Sequence, residues 1–403
     1  MAWRSRQTMP SQSNPSVDRF LLKGLGEPIK TFSATSDVAT TGDIQLKDFK
    51  PIASYSWISA KTPTIALVPG SPRVWANTPV TRVPADSGLQ YIDQNAARMQ
   101  GHSPLLPLFI AVENMDASFR YGDLDLVTDR NNLRKLLRFV TKDEKDFRID
   151  IDLAGNTCLF TRCEEKNQET IGRGDFRGFG HEYEEAATTA TRGCEKATGH
   201  HRIVSYDFGG LKVLLRFEVD ACVATSASKD DELLAALSTL KIGSRGAALT
   251  TAPPSVTPST TSALSVNFTV PGTLTPQGNM IEIKTRALKR QIDWAEVYPQ
   301  LYLSQTAYLY IAKHDRGTFQ PVQKIQLNGP TMTEHAEKAK ASMRELKMLL
   351  GQILEVVRNE GKKVQLSLVC QGGRLTLYKR TIGSGYPVDE YITKKFTGNS
   401  ISK

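Results

Sequence analysis

The stretch KVLLRFEVDACV, residues 212–223, constrains the fold more than any other part of the chain. Side chains alternate across a strand, so residues i and i+2 share a face about 6–7 Å apart. Val213, Leu215, Phe217, Val219 and Ala221 form an apolar face that demands a core behind it. Leu214, Arg216, Glu218, Asp220 and Cys222 form the other face, so two carboxylates project the same way near the strand's end. An unpaired carboxylate on a buried strand costs several kcal/mol or takes up a proton. Two of them need a partner.

MIEIKT, residues 280–285, repeats the arrangement, with Ile281 and Ile283 facing one way and Glu282 and Lys284 the other. If the strands are neighbours, three carboxylates and an ammonium converge. Carboxylates that close do not all remain ionised without a cation between them. Mg²⁺ or Mn²⁺ supplies that charge and prefers oxygen ligands. The combination suits metal-assisted phosphodiester hydrolysis, with the lysine orienting water or neutralising developing phosphate charge. The plainer alternative is a pair of acidic strand faces turned to solvent.

Other signals frame these strands. FRIDIDLAG and TCLFTRCE meet at a Gly-Asn turn, a hairpin signal. HRIVSYDFGGLKVLLRF turns at Gly209-Gly210, and KKVQLSLVCQGGRLTLYKR at Gly372-Gly373. Leu133, Leu136, Leu137 and Val140 make a helical stripe, helices are expected over about 287–313 and 333–359, and a strand is expected around YLYIAKH. KDDELLAALSTLKIG reads as a short helix, followed by a Ser/Thr/Pro-rich mobile loop over 244–265. Strands flanked by helices without a regular βαβ rhythm indicate an α+β (mixed α/β) fold. Residues 1–50, rich in Ser, Thr and Pro, read as a disordered N-terminal tail, and 51–395 as a single catalytic domain.

A net charge of +9 suits a polyanionic partner such as RNA or DNA. No apolar run reaches the 18 residues of a membrane span, and the N-terminus has no secretory pattern. Five cysteines without a CxxC pair argue against a disulfide framework or a structural zinc site, and for a reducing compartment. Adjacent His200 and His201 point to opposite strand faces and do not read as a shared metal site.

The order of motifs resembles the DXO-type decapping nucleases, RNA 5′-end enzymes with a core related to the PD-(D/E)XK nucleases. DLVTDRNNLRKLL (125–137) resembles the family's arginine motif, FRGFGHE (176–182) its Gly-x-x-x-Glu motif, and EVDAC and EIKTRA its third and fourth motifs. LYLSQTAYLYIAK (301–313) places Gln305 where the family carries a glutamine on the helix after E-x-K. The resemblance covers about residues 120–380 and implies a two-sheet nuclease core flanked by helices.

The same resemblance implies a site. Glu182, Asp220 and Glu282 are then direct ligands of two divalent cations, Mg²⁺ or Mn²⁺, helped by the Ile283 carbonyl. Glu218 binds the second ion or acts through water, Lys284 and Gln305 contact the scissile phosphate or the water, and Arg130 reaches substrate phosphates. The implied activity is hydrolysis at RNA 5′ ends, removing incomplete or non-canonical caps or 5′ pyrophosphate, with 5′→3′ degradation as an extension. The compartment is intracellular, nucleus or cytoplasm. A non-catalytic partner that stabilises a larger 5′→3′ exoribonuclease and a DNA nuclease of the wider PD-(D/E)XK class are the competing expectations.

Three departures stand out. Asp129 and Asn131 flank the arginine where the family carries Trp and Gly, and His181 enters the Gly-x-x-x-Glu motif. The segment between Asp220 and Glu282 is long, and because both ends belong to one site it is an insertion within a domain.

Overall fold

A computed structural model describes residues 20–34, 42–59, 65–143, 145–172, 174–224, 264–269, 273–386 and 389–397. The expected helix KDDELLAALSTLKIG and nearly all of the 244–265 loop fall outside those residues.

Three glycine-centred hairpins form as their turn chemistry demands. Phe147–Ala154 pairs with Thr157–Cys163, Ala197–Phe208 with Leu211–Val219, and Leu366–Gln371 with Arg374–Arg380, all antiparallel. Gly209, Gly210, Gly372 and Gly373 all have positive φ, open to residues without a Cβ at little cost. These strands are embedded in one eleven-stranded sheet, extended at one end by Leu25–Phe32 and at the other by Leu46–Ile58, Ile65–Val68 and Ser265–Phe268. A short strand, Leu126–Asp129, lies parallel to both Leu211–Val219 and Thr157–Cys163 at the sheet's centre.

The strand Leu25–Phe32 corrects the expectation of a disordered tail over residues 1–50. It pairs antiparallel with Arg374–Arg380, and Phe32 is buried in the main core. Its sequence LGEPIKTF has no alternating apolar pattern, so the sheet edge it completes supplies the order. Leu46–Ile58 likewise starts before residue 51.

Helices cover both faces of the large sheet. On one face pack Arg130–Val140, Trp294–Ser304 and the long helix Thr333–Glu360, through Leu133, Leu136, Leu346, Leu350 and Ile353 against Val213, Leu215 and Phe217. Each such leucine contributes about 1.5–3 kcal/mol through burial. On the other face lies Leu106–Met115, whose first seven residues, Leu106 to Val112, are all apolar and buried, packed near Leu214. Leu214 and Arg216 are therefore buried too, and the acid-bearing face of the strand is interior rather than solvent-facing until its last residues.

A second, seven-stranded sheet contains Thr188–Thr189, Val74–Trp75, Ala221–Cys222, Met280–Ala287 and Tyr308–Asp315. The chain leaves the large sheet after Val219 and enters the smaller one at Ala221, so Asp220 sits at the crossing. Ala221 pairs with Ile281 and Cys222 with Met280, which makes the two acidic motifs neighbours. The smaller sheet takes up Ala221–Cys222 and then, after the segment between them, Met280–Ala287.

Candidate active site

The helix Gly180–Ala187 is set in place by Asp86, whose carboxylate accepts the Gly180 N–H at 2.9 Å and the Glu182 N–H at 3.0 Å. A carboxylate at a helix N-terminus satisfies unpaired donors and complements the dipole. Phe179 and Tyr183 pack into a core with Ile281, Ile283 and Phe319. With that face fixed, Glu184 turns toward the strand crossing. Burial raises its carboxyl well above the usual range, Asp220 adds to the rise, Lys284 opposes it, and Glu218 and Glu282 raise it further.

Glu182 is the first correction. At about 100° per residue it lies some 200° around the helix from Glu184, so the two cannot face one site. Glu185 turns outward to pair with Arg73 at 2.9 Å. The spacing Gly-x-x-x-Glu is satisfied twice, from Gly178 to Glu182 and from Gly180 to Glu184, and it is Glu184 that comes beside Asp220, Lys284, Glu218 and Glu282.

Asp220 accepts the Ile283 N–H at 2.7 Å. Its carboxyl is pushed up to about 7 by burial and by Glu282, against the pull of Lys284 and the Ile283 hydrogen bond. The N–H and C=O of one strand residue lie on the same edge, so the Ile283 carbonyl also faces Asp220. Glu218 stays open to solvent at the mouth of the site, yet the protein packed around it raises its carboxyl; Arg162 and His181 oppose that rise and Glu282 adds to it.

Glu282 behaves differently. Burial alone would raise its carboxyl, but Lys284 and Arg130 hold it down at about 2. Arg130 Nη2 donates to it at 3.2 Å, and the Lys284 ammonium and the Gln300 amide donate as well. Arg130 also donates to Ser304 Oγ at 3.0 Å and lies 5.2 Å from the centre of the Phe217 ring.

Gln305 is the second correction. It ends its helix in the left-handed conformation with φ 48°, and its amide donates to the Tyr302 carbonyl at 2.7 Å. It lines a separate groove with Phe49 and Tyr308. Gln300, one turn earlier on the same helix, is the glutamine that enters the site, a choice that YPQLYLSQ alone leaves open.

Arg130, Glu218, Asp220, Glu282 and Gln300 line one recess of about 210 Å³, joined by Asn131, Arg134 and Arg162. Asp129, beside Arg130, is drawn inward by the buried Arg216, which donates to it at 2.6 and 2.9 Å. His200 and His201 do not share a site: Ser56 bonds His200 Nδ1 at 2.9 Å, while His201 stacks on Tyr55 at 5.0 Å.

Among the described residues, no three His, Cys, Asp or Glu side chains are set closely enough to hold an ion as they stand. Glu282 has its oxygens engaged by Arg130, Lys284 and Gln300, so protein cations balance part of the cluster. The donor set is nevertheless all oxygen and rich in charge, the kind hard divalent cations prefer. The raised carboxyls of Glu184, Glu218 and Asp220 mark a charge deficit that such a cation fits.

The fold is that of the DXO-type decapping nucleases. Rai1 of S. pombe superposes with a TM-score of 0.56 at 12% identity, covering 87% of this chain and 99% of that one. Rai1 of Scheffersomyces stipitis, solved with (3′-NADP)⁺ and calcium, gives 0.57 at 12%, covering 92% and 100%. Candida albicans Rai1, solved with pU5 and Mn²⁺, gives 0.51 at 12%, covering 92% and 95%. By sequence, residues 33–374 match the family described as "Domain of unknown function (DUF8563)", and the chain belongs to it. No curated protein sequence matches it. No described helix is long and apolar enough to cross a membrane.

Proposed function

We propose that this protein is a divalent-metal-dependent hydrolase of RNA 5′ ends, a decapping nuclease that removes incomplete or non-canonical caps or 5′ pyrophosphate. The observation that carries this reading is the meeting of Glu184, Glu218, Asp220 and Glu282 with Lys284 at the crossing between two sheets, in a chain with the Rai1 fold. A solved relative of that fold carries an RNA fragment and Mn²⁺.

Glu184, Asp220 and Glu282, with the Ile283 carbonyl, are the residues that would hold Mg²⁺ or Mn²⁺, and Glu218 would act on a second ion or through water. When bound, such ions activate water and stabilise the leaving oxygen in an in-line displacement. Arg130 and Lys284 supply donors for phosphate oxygens, and Arg130 adds the forked geometry that phosphate favours. Gln300 fixes the Glu282 carboxylate, and Asp86 fixes the helix that carries Glu184.

The test is turnover of triphosphorylated, capped and NAD-capped RNAs, with matched single-stranded DNA, in Mg²⁺ and Mn²⁺. RNA-selective, metal-dependent release of a 5′ fragment or pyrophosphate is expected. Full turnover by a variant carrying both Glu218→Ala and Asp220→Ala overturns the reading, and a preference for DNA moves it to the wider nuclease class.

A further inference from the structure

We infer that the groove beside Phe179 is a second binding site, one that holds an unpaired nucleotide of single-stranded RNA extending from the recess; this rests on the proposed function. The groove has a volume of about 510 Å³ and is lined by Arg82, Val83, Pro84, Ala85, Phe179 and Arg316. Among the described residues, no carboxylate lines it. Among the described residues, neither Arg82 nor Arg316 forms an ion pair, unlike the arginines of the recess.

At the rim stands Phe176, 63% exposed and packed edge-on against Phe179 at 5.4 Å between ring centres. Phe176 thus presents an open ring close to two guanidinium groups that no carboxylate among the described residues engages. The same set is the chemistry of single-strand recognition: a flat ring on which a base stacks, and forked cations for its phosphate. An acidic peptide would satisfy the arginines but leave the ring unused.

The groove is tied to the recess on two sides. Its floor residue Phe179 directly precedes Gly180–Ala187, and Glu184 lies about 7.5 Å beyond it along that helix. Its wall 82–85 continues into Asp86, whose N–H donates to the Gly178 carbonyl at 2.9 Å and whose carboxylate caps the same helix. The second tie is the ribbon Gly88–Tyr91 paired with Gln168–Ile171, which leads to the Phe176 loop at one end and to Ile92–Asn95 in the recess wall at the other. A strand whose 5′ phosphate is in the recess therefore meets Phe176 within a short run of nucleotides.

The experiment compares a labelled oligoribonucleotide with a dinucleotide of the same 5′ end, in binding and in turnover. Phe176→Ala is expected to weaken oligonucleotide binding roughly 5- to 150-fold, the range for losing one stacked base, and to leave the dinucleotide unchanged. Phe176→Trp restores binding. Arg82→Ala with Arg316→Ala lowers the slope of log affinity against log salt by about 0.7 for each phosphate that is no longer neutralised. Unchanged oligonucleotide affinity in Phe176→Ala, with an unchanged circular dichroism spectrum, overturns the inference, as does competition by polyglutamate in place of RNA. Wild-type protein that binds through Phe176 yet hydrolyses nothing sinks the proposed activity and keeps the subsite; wild-type protein that binds no RNA overturns both.

Discussion

Arg130 and Glu282 meet at 3.2 Å in the interior, with 9% and 4% of their side chains exposed. One begins a helix of the large-sheet layer and the other lies mid-strand in the smaller sheet, so the pair fastens the two halves of the site. Removing one partner of a buried pair leaves an uncompensated charge and costs about 3–5 kcal/mol. Lys284 and Gln300 remain on Glu282, which places Arg130→Ala at the lower end, about 3 kcal/mol. Urea unfolding checks this: the midpoint falls while the slope with denaturant stays constant. A midpoint within error of wild type contradicts it.

Glu184→Gln and Glu182→Gln separate the two readings of the Gly-x-x-x-Glu motif. The first removes a carboxylate facing Asp220 and should lower RNA turnover by about 10²–10³-fold, the scale for losing one preorganised electrostatic group. The second alters a residue turned away from the cluster and should leave turnover near wild type. A loss confined to Glu182→Gln, with Glu184→Gln near wild type, would return the assignment to Glu182.

Metal binding should also register as stability. A cation that binds only the folded chain raises its stability by about 2.7 kcal/mol at a concentration 100 times its dissociation constant. Thermal unfolding with and without Mn²⁺ measures that increment. Asp220→Asn should abolish it. Because the amide also relieves repulsion from Glu282 and Glu218, the metal-free variant should be no less stable than the metal-free wild type.

Much of this site is legible in the sequence because strand alternation is a hard rule. Glu218 with Asp220, Glu282 with Lys284, and the three hairpin turns all follow from local spacing, and the pairing of Ala221 with Ile281 joins them. Glu184 and Gln300 are not legible in the same way. Each has a twin a few residues off, Glu182 and Gln305, and the choice depends on which side chain the tertiary fold brings to the acidic cluster: Glu184 beside Asp220 in one case, Gln300 on Glu282 in the other. Asp86 carries no local signal at all, since its role exists only once the helix arrives. The edge strand Leu25–Phe32 shows the same limit: its order comes from Arg374–Arg380, at the far end of the chain.

The acid limb of stability should trace to His200. It is 4% exposed, with Nδ1 bonded to Ser56 Oγ at 2.9 Å, and Nε2 has no partner among the described residues. Burial, and then Arg202 two residues along the same strand, push its imidazole down to about 3, and burial and Arg216 push His201 down as well. The unfolded chain protonates near 6.5 and the folded one does not, so the unfolded state binds more protons between those values. The neutral-histidine contribution is present in full above about pH 6.5 and is lost as pH falls toward 3. The loss is about 1.4 kcal/mol per pH unit for each histidine. Unfolding free energies measured from pH 7 to pH 4 should fall more gently in His200→Gln than in wild type, whatever the variant's stability at pH 7. Parallel curves would show that carboxylates elsewhere set the limb.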